Sequence, residues 1–324
     1  MTAPAVSVVI CCYNAARTVG RTIETIRAQR FAHIEIVAID DGSTDDTLPL
    51  LNACSAREPR LRVLENAGNR GTAFTRQRGL EEARAELVMF IDADDLASPL
   101  LIERLYDKLT ADDSLIGVGC YTTYFVEEGK ELGTQRIGPE SRLACERLYR
   151  EAKLLFMAPC TLFRKADALA VGGYRQEIMQ NEQGIRYQDF SEDLDLWCRM
   201  SDLGAEGRWF VTVPESLLQY RKPIGSLSSS NLAHMQLKMR WIKDCLRRRR
   251  AGTPERSLAE FIASRSTRER LADWRSDRAA GFYKRAGFAY AQGRFPTLVF
   301  YLLLTVMLSP KFVRKKFATQ RVSI

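Results

Sequence analysis

The sequence predicts an α/β fold built on a mostly parallel sheet, and three observations carry that expectation. Short apolar runs recur from Val6 to Val126. Stretches with helical apolar spacing lie between them. Polar turns follow the carboxyl ends of the first four runs. The chain has 324 residues, of which 46% are hydrophobic. It can therefore bury a sizeable core, in one large domain or two smaller ones.

VSVVICCY (Val6–Tyr13) reads as a buried strand. Val19, Ile23 and Ile26, at i, i+4 and i+7, mark the helix behind it. IEIVAID (Ile34–Asp40) is the second strand. The turn DGSTDDT (Asp41–Thr47) caps a helix through Leu48 and Leu51. LRVLEN (Leu61–Asn66) is the third strand, followed by a glycine-bearing loop and a helix through Ala83. ELVMFID (Glu86–Asp92) is the fourth. Ser98 as N-cap and Pro99 at N1 begin a helix through Leu101, Leu105 and Leu109. LIGVGCYTTYFV (Leu115–Val126) is the fifth strand. Such alternation implies right-handed crossovers.

The pattern is less regular from Tyr124 to Gln188. A helix is expected over Arg142–Phe156, a short strand at Cys160–Arg164 and a turn at Gly172–Tyr174. A helix capped by Ser191 then runs from near Asp193 to Leu203. Two strands follow, Arg208–Val213 and Glu215–Arg221. Arg247–Arg250, followed by AGTP, mark the boundary before a helical tail.

Composition narrows the chemistry. Eight cysteines with no CxxC pair, and two histidines, argue against a zinc site or a disulfide framework. Cys11 and Cys12 lie in an apolar run and read as small buried hydrophobes. The amino-terminal stretch lacks the basic segment and long apolar run of a secretory signal, so a cytoplasmic protein is expected. The net charge of +8 is unevenly spread. Met1–His234 hold 27 Lys+Arg against 34 Asp+Glu, a balance of −7, and Met235–Ile324 hold 21 against 6, a balance of +15. That asymmetry suggests a surface-binding tail. Arg247–Arg250 lack interleaved aromatics and no nucleic-acid motif is visible, so no nucleic-acid partner is expected.

Phe295–Ser309 is the most apolar stretch. Its 15 residues fall short of the ~20 that a spanning helix needs. Pro296 suits N1, and Lys311, Arg314, Lys315 and Lys316 follow. The expectation is an interfacial helix whose basic flank meets anionic lipid. The alternative is a helix packed on its own domain, with Trp241, Trp274, Phe282 and Tyr283 in the core.

In an open α/β sheet, ligands bind outside the carboxyl ends of the strands. Tyr13 and Asn14 follow strand one, Asp40, Asp41 and Gly42 strand two, Asn66 and Gly68 strand three. Strand four ends in Asp92, Ala93, Asp94 and Asp95. Crowded carboxylates repel unless a positive group sits among them. A hard cation, Mg²⁺ or Mn²⁺, prefers carboxylate oxygens and usually takes substrate phosphate oxygens as well. Asp92 and Asp94 are the candidate ligands, and Asp41 is a candidate acceptor for a base N–H. No GxGxxG follows a strand and no GxxxxGK[ST] loop is present. A second acidic cluster, Glu192, Asp193 and Asp195, reads either as first-turn acids favoured by the helix dipole or as the home of a general base.

In order and spacing, VSVVICCYN, IVAIDDGSTDDT, ENAGNRGTAFTRQRGLEEARAELVMFIDADD, TLFRKADALAVGGY, SEDLDLW and YRKPIGSLS resemble the family-2 inverting glycosyltransferases of the GT-A fold, over Val6 to Ser228. The resemblance implies transfer of a sugar, with inversion, from a nucleotide diphosphate donor, commonly a UDP-sugar. It implies a domain over 1–230, with a nucleotide-sugar half (1–123) and an acceptor and catalytic-base half (124–230), before a basic helical region (231–324). Position by position, Asp41 resembles the uracil-contacting carboxylate. Asp92 and Asp94, with Asp95 adjacent, resemble the metal and diphosphate motif. Arg76 matches a basic position near the donor, and Arg221 one that contacts the diphosphate. Asp193 resembles the catalytic base. Cys11 and Cys12 depart from the Thr often found before Tyr-Asn, and Pro223 stands where a His is common. The resemblance further implies a glycan or lipid-linked acceptor in surface polysaccharide assembly, at the inner face of the cell membrane. Two alternatives remain: a sugar nucleotidyltransferase, which would want a GxGTR-like loop where CYNAAR stands, and a membrane-bound scaffold with a vestigial site. Sugar specificity is expected in loops such as Glu177–Phe190.

Overall fold

A computed structural model of the chain describes residues 3–126, 131–221, 231–310 and 312–314. Expectations resting on Lys222 to Ser230 (Pro223 among them), or on Lys311, Lys315 and Lys316, lie outside the described residues.

Nine described strands form one sheet: β1 (Val6–Cys12), β2 (Ile34–Asp40), β3 (Leu61–Glu65), β4 (Leu87–Asp92), β5 (Leu96–Ala97), β6 (Leu115–Phe125), β7 (Glu131–Gln135), β8 (Leu162–Arg164) and β9 (Trp209–Arg221). Their order is β3-β2-β1-β4-β8-β6-β9-β5, with β7 paired to β6. β1 to β4, β6 and β9 run one way, and the short β5, β7 and β8 run against them. The sheet is thus mixed, with most paired residues in parallel ladders. β1 and β2 are hydrophobic runs because helices bury them, as crossover connections require.

Helix α1 (Val19–Arg27) turns Val19, Ile23 and Ile26 inward, as their spacing predicted. Helices α2 (Thr47–Ser55), α3 (Thr72–Glu82) and α4 (Leu101–Thr110) follow β2, β3 and β5. Gly79 lets α3 approach the sheet, for a Cβ there would collide with Val9.

Several expectations need correction. Ser98 does not cap α4, which begins after Leu100. The Ser98 N–H donates to the Leu217 carbonyl, so the residue extends the edge of β5. Helix α5 (Arg142–Arg150) stops short of Phe156, because Ala152 turns the chain with φ +45° and Leu155 enters the core. The two expected late strands are one, β9. Val213 pairs with Cys120 and Ser216 with Tyr121, so Pro214 and Glu215 sit in a bulge. Helix α6 (Lys165–Ala170) was not anticipated. Helix α7 (Glu192–Met200) is present, but Ser191 is left-handed (φ +51°) and its side chain caps nothing.

Contacts divide the chain into two units, Met1–Ile224 with Ile242–Glu255, and Gly225–Trp241 with Arg256–Ile324. Helix α8 (Leu232–Arg250) contributes to both. In the first unit the basic run at the end of α8 has local partners. Arg249 and Arg250 both pair with Asp202, at 2.5 and 2.9 Å, and Arg250 lies 4.3 Å from the Tyr149 ring centre.

In the second unit, α9 (Leu258–Ala263) and α10 (Thr267–Ala291) each open with a capping box, Ser257 with Glu260 and Ser266 with Glu269. α10 and α11 (Phe295–Leu308) form an antiparallel pair, with Thr305 against Ala279 and Tyr301 stacked on Phe282 at 5.9 Å. Pro296 is the second residue of α11. The outer side of α11 exposes Phe295, Val299, Phe300, Leu302, Leu303, Val306 and Met307. Among the described residues, no helix is long and apolar enough to cross a membrane.

Candidate active site

Parallel register brings the carboxyl ends of the first strands together. Cys12 lies beside Asp40, Asp40 beside Glu65, and Cys11 beside Asp92. The chain builds outward from β1 through β2 to β3, then places β4 on the other side of β1. This reversal leaves a crevice at the carboxyl edge, where open α/β sheets bind ligands. Cys11 lies under the crevice with its thiol pushed up to about 12, mainly by burial. It is therefore a neutral thiol at ordinary pH.

On the β2 side the predicted residues fasten loops. Tyr13 stands half exposed at the rim. Asn14 is left-handed (φ +49°), and its side-chain oxygen accepts the Thr44 N–H at 2.8 Å. Asp41 is 4% exposed. Its carboxylate accepts the backbone N–H groups of Arg70 and Gly71, each at 2.9 Å, and the Asn66 amide at 2.7 Å. It therefore holds the glycine loop between β3 and α3. Gly42 (φ +69°) makes the fit possible, since a Cβ there would lie 2.5 Å from the backbone of Gly68.

On the β4 side the carboxylates meet two arginines. Asp92 to Asp95 form a tight turn, the Asp95 N–H donating to the Asp92 carbonyl. Arg76, buried on α3, donates to Asp92 at 2.9 Å and pairs with Glu192 at 3.3 Å, its guanidinium lying over the Phe90 ring at 5.6 Å from the ring centre. Arg221 ends β9. Its N–H donates to Asp95 at 2.9 Å and its Nε to the Asp94 carbonyl at 3.2 Å. The three carboxylates are not equivalent. The Asp92 side chain is 37% exposed, whereas Asp95 is fully buried. Burial and the charge of Asp92 push the Asp94 carboxyl up to about 6, and the same two causes push Asp95 well above the usual range. Ala93 is buried between them.

The second acidic cluster divides. Asp195 is structural, bonded to Arg199 at 3.0 Å and paired with Arg175 at 3.4 Å. Glu192 faces Arg76. Asp193 is the next residue of that helix turn; its side chain accepts the Leu194 N–H at 2.7 Å, and its charge is among those that raise the Arg76 pKa against the effect of burial. The first turn of α7 is thereby joined to the Asp92 turn through one guanidinium.

Two supporting residues escaped the sequence reading. Asp189 accepts the Ala73 N–H at 3.0 Å, capping α3 from a distant loop, and Gly71 leaves room for it. Gln77 accepts the Tyr174 N–H at 2.7 Å and fixes the Gly172–Tyr174 turn. Neither carries a local signal, because each partner lies about a hundred residues away.

The residues suit a hard divalent cation. The donors are carboxylate oxygens at a surplus of negative charge, and the buried Asp95 Oδ2 has no hydrogen-bond partner. Asp92 and Asp94 are the more open of the three. Among the described residues no group of three or more His, Cys, Asp or Glu side chains converges.

The family profile described as "Glycosyl transferase family 2" matches residues 7–170. An uncharacterized glycosyltransferase of Haemophilus influenzae is 30% identical over 244 residues, 72% of this chain and 70% of that protein. The succinoglycan biosynthesis protein ExoO of Rhizobium meliloti is 34% identical over 232 residues, 69% of this chain and 63% of that protein. In three dimensions the chain resembles a mannosyltransferase of Pyrobaculum calidifontis, solved with GDP-Man and Mn²⁺, with a TM-score of 0.56 at 16% identity over 98% of this chain and 89% of that one. A GT-A-like sheet with its carboxylates at the switch point, and a profile match over half the residues, lead to one assignment: the chain belongs to glycosyl transferase family 2 and is a glycosyltransferase.

Proposed function

We propose that this glycosyltransferase is metal-dependent and inverting, and that it moves a sugar from a nucleoside diphosphate, UDP before GDP, to a hydroxyl of a glycan or lipid-linked acceptor. One observation carries the reading: Asp92 and Glu192, from separate elements, converge on the same buried arginine at the switch point, and Asp193 follows Glu192 in the first turn of α7. Asp193 takes the proton of the acceptor hydroxyl. That oxygen attacks the anomeric carbon from the face opposite the diphosphate, so the new C–O bond forms as the bond to phosphate breaks. Arg76 holds Asp92 in place and offsets charge beneath the diphosphate. Arg221 adds positive charge from β9. Asp92 and Asp94 would hold Mg²⁺ or Mn²⁺. Such an ion supplies positive charge against the charge that develops on the departing diphosphate. Asp95 positions the turn. Tyr13 and Asn14 border the base site, and Asp41 shapes it through the glycine loop.

The outer apolar side of α11 and the positive balance of the second unit support attachment to an anionic membrane at the inner face of the cell membrane. The ExoO relative supports a role in surface polysaccharide assembly.

A panel of UDP-, dTDP- and GDP-sugars, assayed with Mn²⁺, Mg²⁺ or a chelator, tests the donor reading. Nucleoside diphosphate release that requires metal is expected, and release unaffected by chelator would sink the metal role. Asp193→Asn should bind nucleotide and lose transfer. Transfer at the normal rate would remove Asp193 from the role of base. Deleting 295–324 should move the protein from the membrane to the soluble fraction, and an unchanged distribution would refute attachment.

A further inference from the structure

Sugar specificity is expected in loops such as Glu177–Phe190, and the structure gives that loop's shape. Met179 to Tyr187 fold back as a hairpin. Gln180 bridges Arg186, and the Tyr187 N–H donates to the Met179 carbonyl at 2.9 Å. The Asn181 side chain accepts the Gln183 and Ile185 N–H groups and closes the tip. The base of the hairpin is tied to the glycine loop. Arg186 donates to the Asn69 side-chain oxygen at 2.6 Å and pairs with Asp189 at 2.9 Å. The loop that Asp41 holds from one side is thus held by the hairpin from the other.

A cleft of about 470 Å³ lies between the hairpin and the first turn of α3. Its lining is unlike an apolar pocket. Gln176 and Gln180 present amides, each able to donate to and accept from a hydroxyl, and Asn69, whose oxygen accepts from Arg186, keeps an NH₂ to donate. Phe74 supplies a ring, and Arg70 lies over it at 4.2 Å. The Arg70 backbone N–H serves Asp41, but among the described residues no ion pair engages its guanidinium. Arg186 is neutralised by Asp189, and Glu177 is the one acidic side chain of the lining. Amides beside an aromatic face suit a sugar ring. A guanidinium stacked on a ring, with its edge left to donate, suits a carboxylate.

We infer that this cleft is an acceptor subsite for an acidic glycan, one whose sugar carries a carboxylate near Arg70. The inference deepens the proposed function and rests on it for the word acceptor. The binding chemistry stands on the cleft alone. It also places acceptor recognition and the base on one continuous segment, since Asp189 and Asp193 are four residues apart in sequence.

The test uses the full chain at about 150 mM salt, where contacts from the basic second unit are screened. Binding of a hyaluronan tetrasaccharide, which carries glucuronates, is compared with that of neutral chitotetraose by calorimetry and ligand-observed NMR. The acidic glycan should bind at least about tenfold more tightly. Arg70→Ala should remove on the order of tenfold of its affinity, the usual worth of a charge-assisted hydrogen bond. Gln180→Glu, which adds a like charge while keeping the side-chain size, should weaken the acidic glycan by a similar factor and spare the neutral one. Equal affinity for the two glycans, or an acidic-glycan affinity indifferent to both substitutions, overturns the assignment. UDP binding to the wild type is measured separately. A chain that prefers the acidic glycan but takes no nucleotide sinks the donor reading and leaves the cleft standing. A chain that takes nucleotide and shows no preference does the reverse.

Discussion

Asp41→Asn separates two roles that one carboxylate can play. The family resemblance makes Asp41 a contact to the base, whereas the structure shows it holding the glycine loop with both oxygens occupied. An Asn in the same place keeps at most one acceptor oxygen. If that oxygen stays where Oδ1 is, it retains the Arg70 N–H and the Asn66 amide, but as neutral bonds. The new NH₂ then faces the Gly71 N–H across 2.9 Å, donor against donor. A buried N–H left without an acceptor costs about 1–3 kcal/mol, and each downgrade from a charged to a neutral bond costs about 1 kcal/mol. Partial relaxation of the loop offsets some of this, so the loss of stability should be about 3 kcal/mol. For a unit of this size that lowers the melting temperature by about 6–12 °C. The assay is thermal unfolding without nucleotide, because only the loop role acts in the empty protein. A melting temperature within ~1 °C of wild type, together with lost UDP affinity, would refute the loop argument and return Asp41 to the base.

Three further outcomes follow from the site. In chelator, Asp94→Asn should stabilise the protein at pH 7.5 by about 1–2 kcal/mol, after discounting for partial exposure. Its folded pKa is raised to about 6, so the cost of the charged form is present in full above that pH and fades toward the ordinary carboxylate value. Denaturation curves that differ equally at pH 7.5 and below pH ~4 would contradict this. Gly42→Ala must place a Cβ 2.5 Å from Gly68 at φ +69°, so it should cost at least ~2 kcal/mol in chemical denaturation and weaken nucleotide binding; a neutral effect would mean that the two loops are not in contact. Cys11, a neutral thiol, should resist iodoacetamide at pH 8 in the folded protein, and rapid alkylation detected by mass spectrometry would show that the crevice floor is open.

The sheet was legible because its information is local. Apolar runs such as Ile34–Asp40 are continuous because helices cover both faces, and this is visible in any window of seven residues. Where the reading failed, a distant partner decided the outcome. Ser98 has the residue type of a cap and Pro99 that of a first helical position, yet the Leu217 carbonyl draws Ser98 into the sheet edge. Arg208–Val213 and Glu215–Arg221 read as two strands, because nothing nearby reveals that β6 accommodates a bulge at Pro214 and Glu215. Asp189 and Gln77 are the same problem within the site. Their bonds to Ala73 and Tyr174 span 116 and 97 residues, and no turn or helix pattern encodes them.

The carboxylate turn shows how composition under-determines a site. Three acids in four positions called for a positive partner, and a metal ion was the natural answer. The structure supplies two arginines first, from α3 and from the end of β9, and they act on different members. Arg76 pairs with Asp92, which faces the opening. Arg221 reaches Asp95 and the Asp94 carbonyl, and so secures the buried end of the turn. The Asp94 carboxyl is pushed up to about 6 by burial and by the charge of Asp92, and the charge of Arg221 offsets part of that. Asp94 thus lies between an ion-paired neighbour and a buried one, with its charge only partly offset by Arg221. That arrangement supports the proposed cation and diphosphate, and the two arginines give the turn its shape without them.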